Sequence, residues 1–174
     1  MTSKNNHSCL VVDQRILEYK TLISPYDLKK DLPQTSKTKE TTIYGRKSIE
    51  DILDGKDSKI TIIVGPCSIH SIESAKEYAT RLKEISDKIS DKFLVVMRTY
   101  FEKPRTSVGW KGFIYDPHLD GSNNINWGLH LSREFLLHNA RIGLPSATEY
   151  LETFTPQYNS DLISWSAIGA RTVE

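Results

Sequence analysis

The order of apolar and polar positions predicts alternating strands and helices over most of the chain. The first clear strand is the β-branched run at residues 60–64, which Gly65 and Pro66 end. A continuous apolar run of this length is typical of a parallel strand that is buried on both faces. A second such run follows at residues 93–97. These two runs predict a strand–helix–strand unit whose strands are parallel.

The segment between the two strands has the spacing of an amphipathic helix. Ser71 can cap this helix, and its apolar residues fall on one face: Ile72, Ala75, Ala79, Leu82, Ile85 and Ile89. Beyond the second strand lies a long loop at residues 100–124, which is rich in glycine, proline and charge. Loops of that length inside a domain are usually functional or disordered. Trp110 is expected to pack this loop down.

The pattern continues as helix, strand, short helix and strand. We predict a helix from about residue 125 to 140, a strand at 144–149, a helix that starts at Thr155 and Pro156, and a last strand at about 164–170. Alternation of this kind with parallel connections indicates an α/β domain with about four parallel strands.

The first third of the chain has a weaker pattern. Ser24 and Pro25 predict a short helix through about Leu32, residues 34–39 predict a polar linker, and residues 42–53 predict a second helix. We therefore divide the chain into residues 1–55, an arm with lead-in helices, and residues 56–174, the α/β domain.

Composition narrows the class of protein. The chain has 174 residues and a net charge of +1, with 23 basic and 22 acidic side chains. A length of this order fits one domain, and the balanced charge argues against a nucleic-acid binder with a broad basic surface. Two cysteines, Cys9 and Cys67, cannot staple a disulfide framework, so we expect a reducing, cytoplasmic setting. No apolar run is long enough to span a membrane.

Candidate chemistry gathers where the predicted strands end. The residues there are Cys67, Arg98, Lys103, Arg105, Glu149 and Arg171. In parallel α/β folds the carboxyl ends of strands meet on one face, where ligands bind. Any one loop cation is ordinarily just solvated, but four that share this placement favour a site for anions. Cys67 alone is compatible with a small buried hydrophobe, a nucleophile or a metal ligand.

Two long motifs resemble those of type I 3-deoxy-D-arabino-heptulosonate 7-phosphate (DAHP) synthases. They are GPCSIH at residues 65–70 and MRTYFEKPRTSVGWKG at residues 97–112. The segments PQY at 156–158 and AIGART at 167–172 match as well, and the arm looks closest to the fungal branch. The resemblance implies the N-terminal half of a (β/α)8 TIM barrel with an N-terminal extension. It further implies a cytoplasmic, homo-oligomeric transferase that condenses phosphoenolpyruvate with erythrose 4-phosphate at the entry to aromatic amino-acid biosynthesis.

The resemblance also implies roles for individual residues. By analogy with the family, Cys67 binds a divalent metal ion, and the catalytic candidates are Cys67, Lys103 and Glu149, the last near the attacking water. The phosphoenolpyruvate ligands are Arg98, Lys103 and Arg171, and the residues that face erythrose 4-phosphate are Arg105 and Thr106.

Length is the main departure from the family. A complete barrel has eight strands and typically ~250 residues, whereas about four strands are predicted here. We therefore expect the other metal ligands to lie elsewhere and the isolated chain to be inactive. Open strand edges would favour aggregation, dimerisation or a partner. Two alternatives remain: a non-catalytic short product that binds and modulates full-length synthase subunits, and a free-standing phosphate-binding module.

Overall fold

Four parallel strands, arranged in chain order, form the sheet on which the other elements pack. The structure is a computed structural model and describes residues 18–105 and 108–169. The strands are β1 (Ile60–Val64), β2 (Phe93–Arg98), β3 (Ser146–Tyr150) and β4 (Trp165–Ile168), and the sheet order is β1-β2-β3-β4. Every neighbouring pair is parallel. The prediction of an α/β half-barrel with about four parallel strands is confirmed.

Five helices accompany the strands in the described ranges. They are α1 (Pro25–Asp31), α2 (Ser36–Leu53), α3 (Ile72–Lys88), α4 (Ile125–Arg141) and α5 (Pro156–Asn159), and a 3₁₀ turn follows at Ser160–Leu162. The predicted caps are present, since Ser24 accepts the N–H of Asp27 and Ser71 accepts that of Ser74. None of these helices combines the length and apolar character needed to cross a bilayer.

The predicted linker at residues 34–39 is wrong, because α2 already begins at Ser36. Thr35 caps the helix and forms a reciprocal capping box with Thr38. The first turns of α2 lack an apolar stripe because the residues that they bury are the threonines Thr38, Thr41 and Thr42. Thr41 donates its hydroxyl to the Ala140 carbonyl of α4 at 2.8 Å. A Cβ on Gly45 would lie 2.8 Å from the Cβ of Pro145, so only glycine permits this approach.

The two faces of the sheet carry different clusters. On the outer face, Val95 and Met97 join the main core with residues of α3 and α4. On the inner face, Val96 and Ala147 pack with Ile49 of α2 in a smaller cluster. Because side chains alternate along a strand, Arg98 lies on the same face as Val96, and Glu149 on the same face as Ala147. Arg98 and Glu149 therefore project from the inner face beyond this cluster.

The apolar face predicted for α3 is confirmed except at Ile85. Ala79 and Leu82 are buried, whereas Ile85 is 53% exposed. At 3.6 residues per turn, Ile85 lies about 100° round the helix from the centre of the buried positions. Ile85 thus sits at the margin of the apolar stripe.

Candidate functional site

Three of the predicted site residues meet at the carboxyl end of the sheet. Lys103 donates from Nζ to Sγ of Cys67 at 3.1 Å. The hydrogen bond and the charge of Lys103, followed by the charge of Arg98, lower the pKa of the Cys67 thiol below its ordinary value. The thiol is exposed, so the interpretation of Cys67 as a buried hydrophobe is wrong. The result is an accessible thiol held beside two cations.

Close backbone packing fixes the position of Arg98. A Cβ on Gly65 would lie 2.4 Å from the carbonyl oxygen of Arg98, so the segment that follows β1 runs directly against the end of β2. The Arg98 guanidinium carbon stands 3.9 Å from the centroid of the Tyr100 ring. This cation–π contact fixes the plane of the guanidinium, whose N–H fork suits a carboxylate or a phosphate.

Lys103 lies at the foot of the long loop. Its backbone N–H donates to the Lys111 carbonyl at 2.9 Å, which closes the base of the loop. Gly112 has a φ of +110°, and a Cβ there would lie 2.3 Å from the Phe101 carbonyl oxygen, so the returning chain needs glycine. Phe101 is itself 1% exposed. Lys103 therefore lies two residues after a side chain that is buried in the core.

The rest of the long loop is held by packing. Trp110 packs against the main core, and its Nε1 donates to the Asp116 carbonyl at 2.9 Å, which confirms the predicted packing role. Arg105 is exposed, and its backbone N–H donates to the Lys103 carbonyl at 2.7 Å. Thr106 and Arg171 lie outside the described residues.

Glu149 lies on β3, one residue before the strand ends and on the inner face with Arg98. Ala147, two residues earlier on β3 and on the same face, is the register partner of Arg98. A Cβ on Gly169, just after β4, would lie 3.2 Å from Oε1 of Glu149. The carboxylate therefore points towards the end of β4, on the same face of the sheet as the cationic cluster.

Sequence reasoning missed Glu102. This residue is 4% exposed, and its Oε2 accepts the N–H of Leu151 at 2.7 Å. Burial is the main cause that raises the pKa of its carboxyl, against hydrogen bonds from Thr155 and the backbone that lower it. A glutamate in a polar loop carries no signal of burial, because the partners that bury it come from a distant part of the chain.

The described residues do not fit a metal site on their own. Cys67 is one soft ligand, and within residues 18–105 and 108–169 no three His, Cys, Asp or Glu side chains are grouped so that they could hold an ion. A catalytic metal needs about three protein ligands.

A half-barrel with polar residues at the carboxyl ends of its strands belongs to the class of barrel proteins that place their sites there. The profile of the DAHP synthetase I family matches residues 31–174. The chain therefore belongs to the DAHP synthetase I family, a family of enzymes that is generally metal-dependent.

Individual relatives agree with this membership. The Phe-sensitive phospho-2-dehydro-3-deoxyheptonate aldolase of Escherichia coli is 51% identical over 162 residues, which cover 93% of this chain and 46% of that protein. The Tyr-sensitive enzyme of the same organism is 49% identical over 159 residues, which cover 91% and 45%. The solved structure of the aldolase from Francisella tularensis has a TM-score of 0.87 and 52% identity, and the match covers 91% of this chain and 47% of that one.

Two points follow from these relatives. The chain spans about half the length of the curated relatives it matches. These relatives are bacterial, so the expected closeness to the fungal branch is not supported.

Proposed function

We propose that this chain supplies the N-terminal half of the active site of a DAHP synthase. The reaction joins C3 of phosphoenolpyruvate to the aldehyde carbon of erythrose 4-phosphate, water adds at C2, and inorganic phosphate leaves from C2. The products are DAHP and phosphate, at the first step of the shikimate pathway. Family membership supports this proposal, and the observation that carries it is the cluster of Lys103, Arg98 and Cys67 at the carboxyl end of the sheet.

The cluster has the charge that this substrate requires. Phosphoenolpyruvate carries a phosphate and a carboxylate, and fixed cations compensate such charge without reorganisation. We assign Arg98 and Lys103 to phosphoenolpyruvate, and Arg171 as a third cation. The guanidinium of Arg98 offers a bidentate fork and the ammonium of Lys103 a point charge. Both cations hold and orient the substrate.

The remaining predicted residues complete the proposal. Arg105 and Thr106 are assigned to the phosphate of erythrose 4-phosphate, and Glu149 to the water that adds at C2. Cys67 is proposed as one ligand of a divalent metal ion whose other ligands come from outside the described residues. Because those ligands are needed, we expect no turnover by the 174-residue chain alone.

The organisation of the protein is part of the same proposal. Residues 1–55 form an arm with lead-in helices, and residues 56–174 form the partial barrel domain. We assign the whole enzyme to the cytoplasm as a homo-oligomer.

Calorimetric titration of the chain with phosphoenolpyruvate tests the assignment of the cluster. We expect binding that weakens about tenfold or more in Lys103→Met, because a hydrogen bond to a charged group is lost. The matched control is Lys92→Met, an exposed lysine directly before the other end of β2, which should leave the affinity unchanged. Absence of binding by the unmodified chain, or equal losses in the two variants, would refute the assignment.

A further inference from the structure

We infer that Glu102 is a positioning residue, whose buried carboxylate ties the loop after β2 to the loop after β3 and so holds Lys103 against Cys67. The importance of Lys103 for substrate rests on the proposed function, whereas the tie itself stands on the contacts of Glu102.

The carboxylate of Glu102 contacts a single segment of the chain, the loop after β3. Oε2 accepts the N–H of Leu151 at 2.7 Å. The side chain of Thr155 and the backbone N–H of Glu152 lie beside the carboxylate and favour its charged form. A buried carboxylate is unfavourable unless it is hydrogen-bonded. The N–H of Leu151 satisfies it, and the carboxylate in return satisfies a backbone group that the loop after β3 leaves unpaired.

The backbone beside Glu102 is pinned on its other side. A Cβ on Gly112 would lie 2.7 Å from Cα of Glu102, so the returning segment of the long loop packs directly against the backbone of Glu102. Phe101 precedes it in the core, where its ring lies 6.3 Å from that of Phe135. Glu102 is thus clamped between the core, the returning loop and the loop after β3. Lys103, the next residue, has little freedom at its Cα.

The tie joins two parts of the proposed site. Lys103 follows Glu102 directly, and Leu151 comes two residues after Glu149 on β3. Loss of the carboxylate would break the link between the two loop segments while leaving Lys103, Cys67 and Glu149 chemically intact. Glu102 therefore acts through its neighbours. Displacement of a substrate-positioning group by about 1 Å is enough to lower a reaction rate roughly a hundredfold.

Nuclear magnetic resonance of the 174-residue chain measures the position of Lys103 directly. The Nζ–Sγ distance of 3.1 Å predicts a nuclear Overhauser contact between the Lys103 Hε and Cys67 Hβ protons. We expect this contact to be lost in Glu102→Gln, whose amide replaces one acceptor with a donor. It should persist in the control Glu152→Gln, which removes a carboxylate from the same loop. Amide shifts elsewhere in the sheet report whether each variant is folded.

Phosphoenolpyruvate calorimetry on the same variants gives the second measurement. We expect the affinity of Glu102→Gln to fall about tenfold or more, with that of Glu152→Gln unchanged. If Glu102→Gln does not fold, Thr155→Val removes the hydroxyl beside the carboxylate while keeping the shape of the side chain. This variant should weaken both the Overhauser contact and the affinity, and a folded Thr155→Val with both intact would then overturn the inference.

The outcomes separate the two proposals. A folded Glu102→Gln that keeps the Overhauser contact overturns the positioning role. An unmodified chain that binds no phosphoenolpyruvate overturns the proposed function, while the Overhauser comparison still decides the role of Glu102. Loss of the contact without loss of affinity supports the positioning role and refutes the assignment of Lys103 to substrate.

Discussion

Replacement of Arg133 should be among the most destabilising single changes in the described chain. The side chain is 1% exposed, and its Nε donates to the Leu32 carbonyl at 2.9 Å. Nη1 donates to the Tyr158 carbonyl at 2.9 Å, and Nη1 and Nη2 form a bidentate pair with Asp161 at 2.8 and 3.0 Å. Arg133→Met keeps the apolar stem but strands two carbonyls and a half-buried carboxylate. Removing one partner of such a pair costs about 3–5 kcal/mol.

Urea unfolding followed by tryptophan fluorescence measures this cost as a change in the free energy of unfolding. The matched control is Arg81→Met, because Arg81 pairs with Glu77 on the surface, where their side chains are 76% and 65% exposed. Its effect should stay within about 0.5 kcal/mol. A loss below about 1 kcal/mol in Arg133→Met would show that the buried network contributes no more than a surface pair. That result would refute the reasoning.

Three further predictions concern the loops and the site. The stability advantage of the unmodified chain over Glu102→Gln should shrink as pH rises from 4.5, because burial raises the pKa of Glu102 in the folded state and the charge is then costly; a pH-independent difference in urea unfolding would contradict this. Gly128→Ala should lower the free energy of unfolding by about 1–3 kcal/mol, and the melting temperature with it, because its Cβ would lie 2.1 Å from the Ile114 carbonyl oxygen. An unchanged melting temperature would show that the helix shifts freely. Tyr100→Leu should weaken phosphoenolpyruvate binding about threefold through loss of the contact with Arg98, and unchanged calorimetric affinity would remove Tyr100 from the site.

The strands and the helix caps were predictable because their signals are local. The apolar run at 60–64 and the caps Ser24 and Ser71 need no knowledge of distant residues. The first half of α2 could not be found in this way. The residues buried there are Thr38, Thr41 and Thr42, and Thr41 contacts α4 through its hydroxyl. Hydrophobic periodicity does not detect packing through hydroxyl groups.

The site was predictable where motifs mark it. The placement of Cys67, Arg98 and Lys103 after neighbouring strands predicts that they meet, and the structure brings them together. Glu102 lies inside the same motif but carries no such signal. Its partner Leu151 is 49 residues away in the chain, so its burial is a property of the assembled loops.

The contact between Gly65 and the Arg98 carbonyl has a consequence for exchanging segments between homologues. The segment that follows β1 packs so closely against the end of β2 that any side chain at position 65 would displace the backbone of Arg98. A chimera that takes β1 from one parent and β2 from another tests a steric match that neither parent had to satisfy. The pair is a single modular block, and recombination boundaries belong before Ile60 and beyond Tyr100.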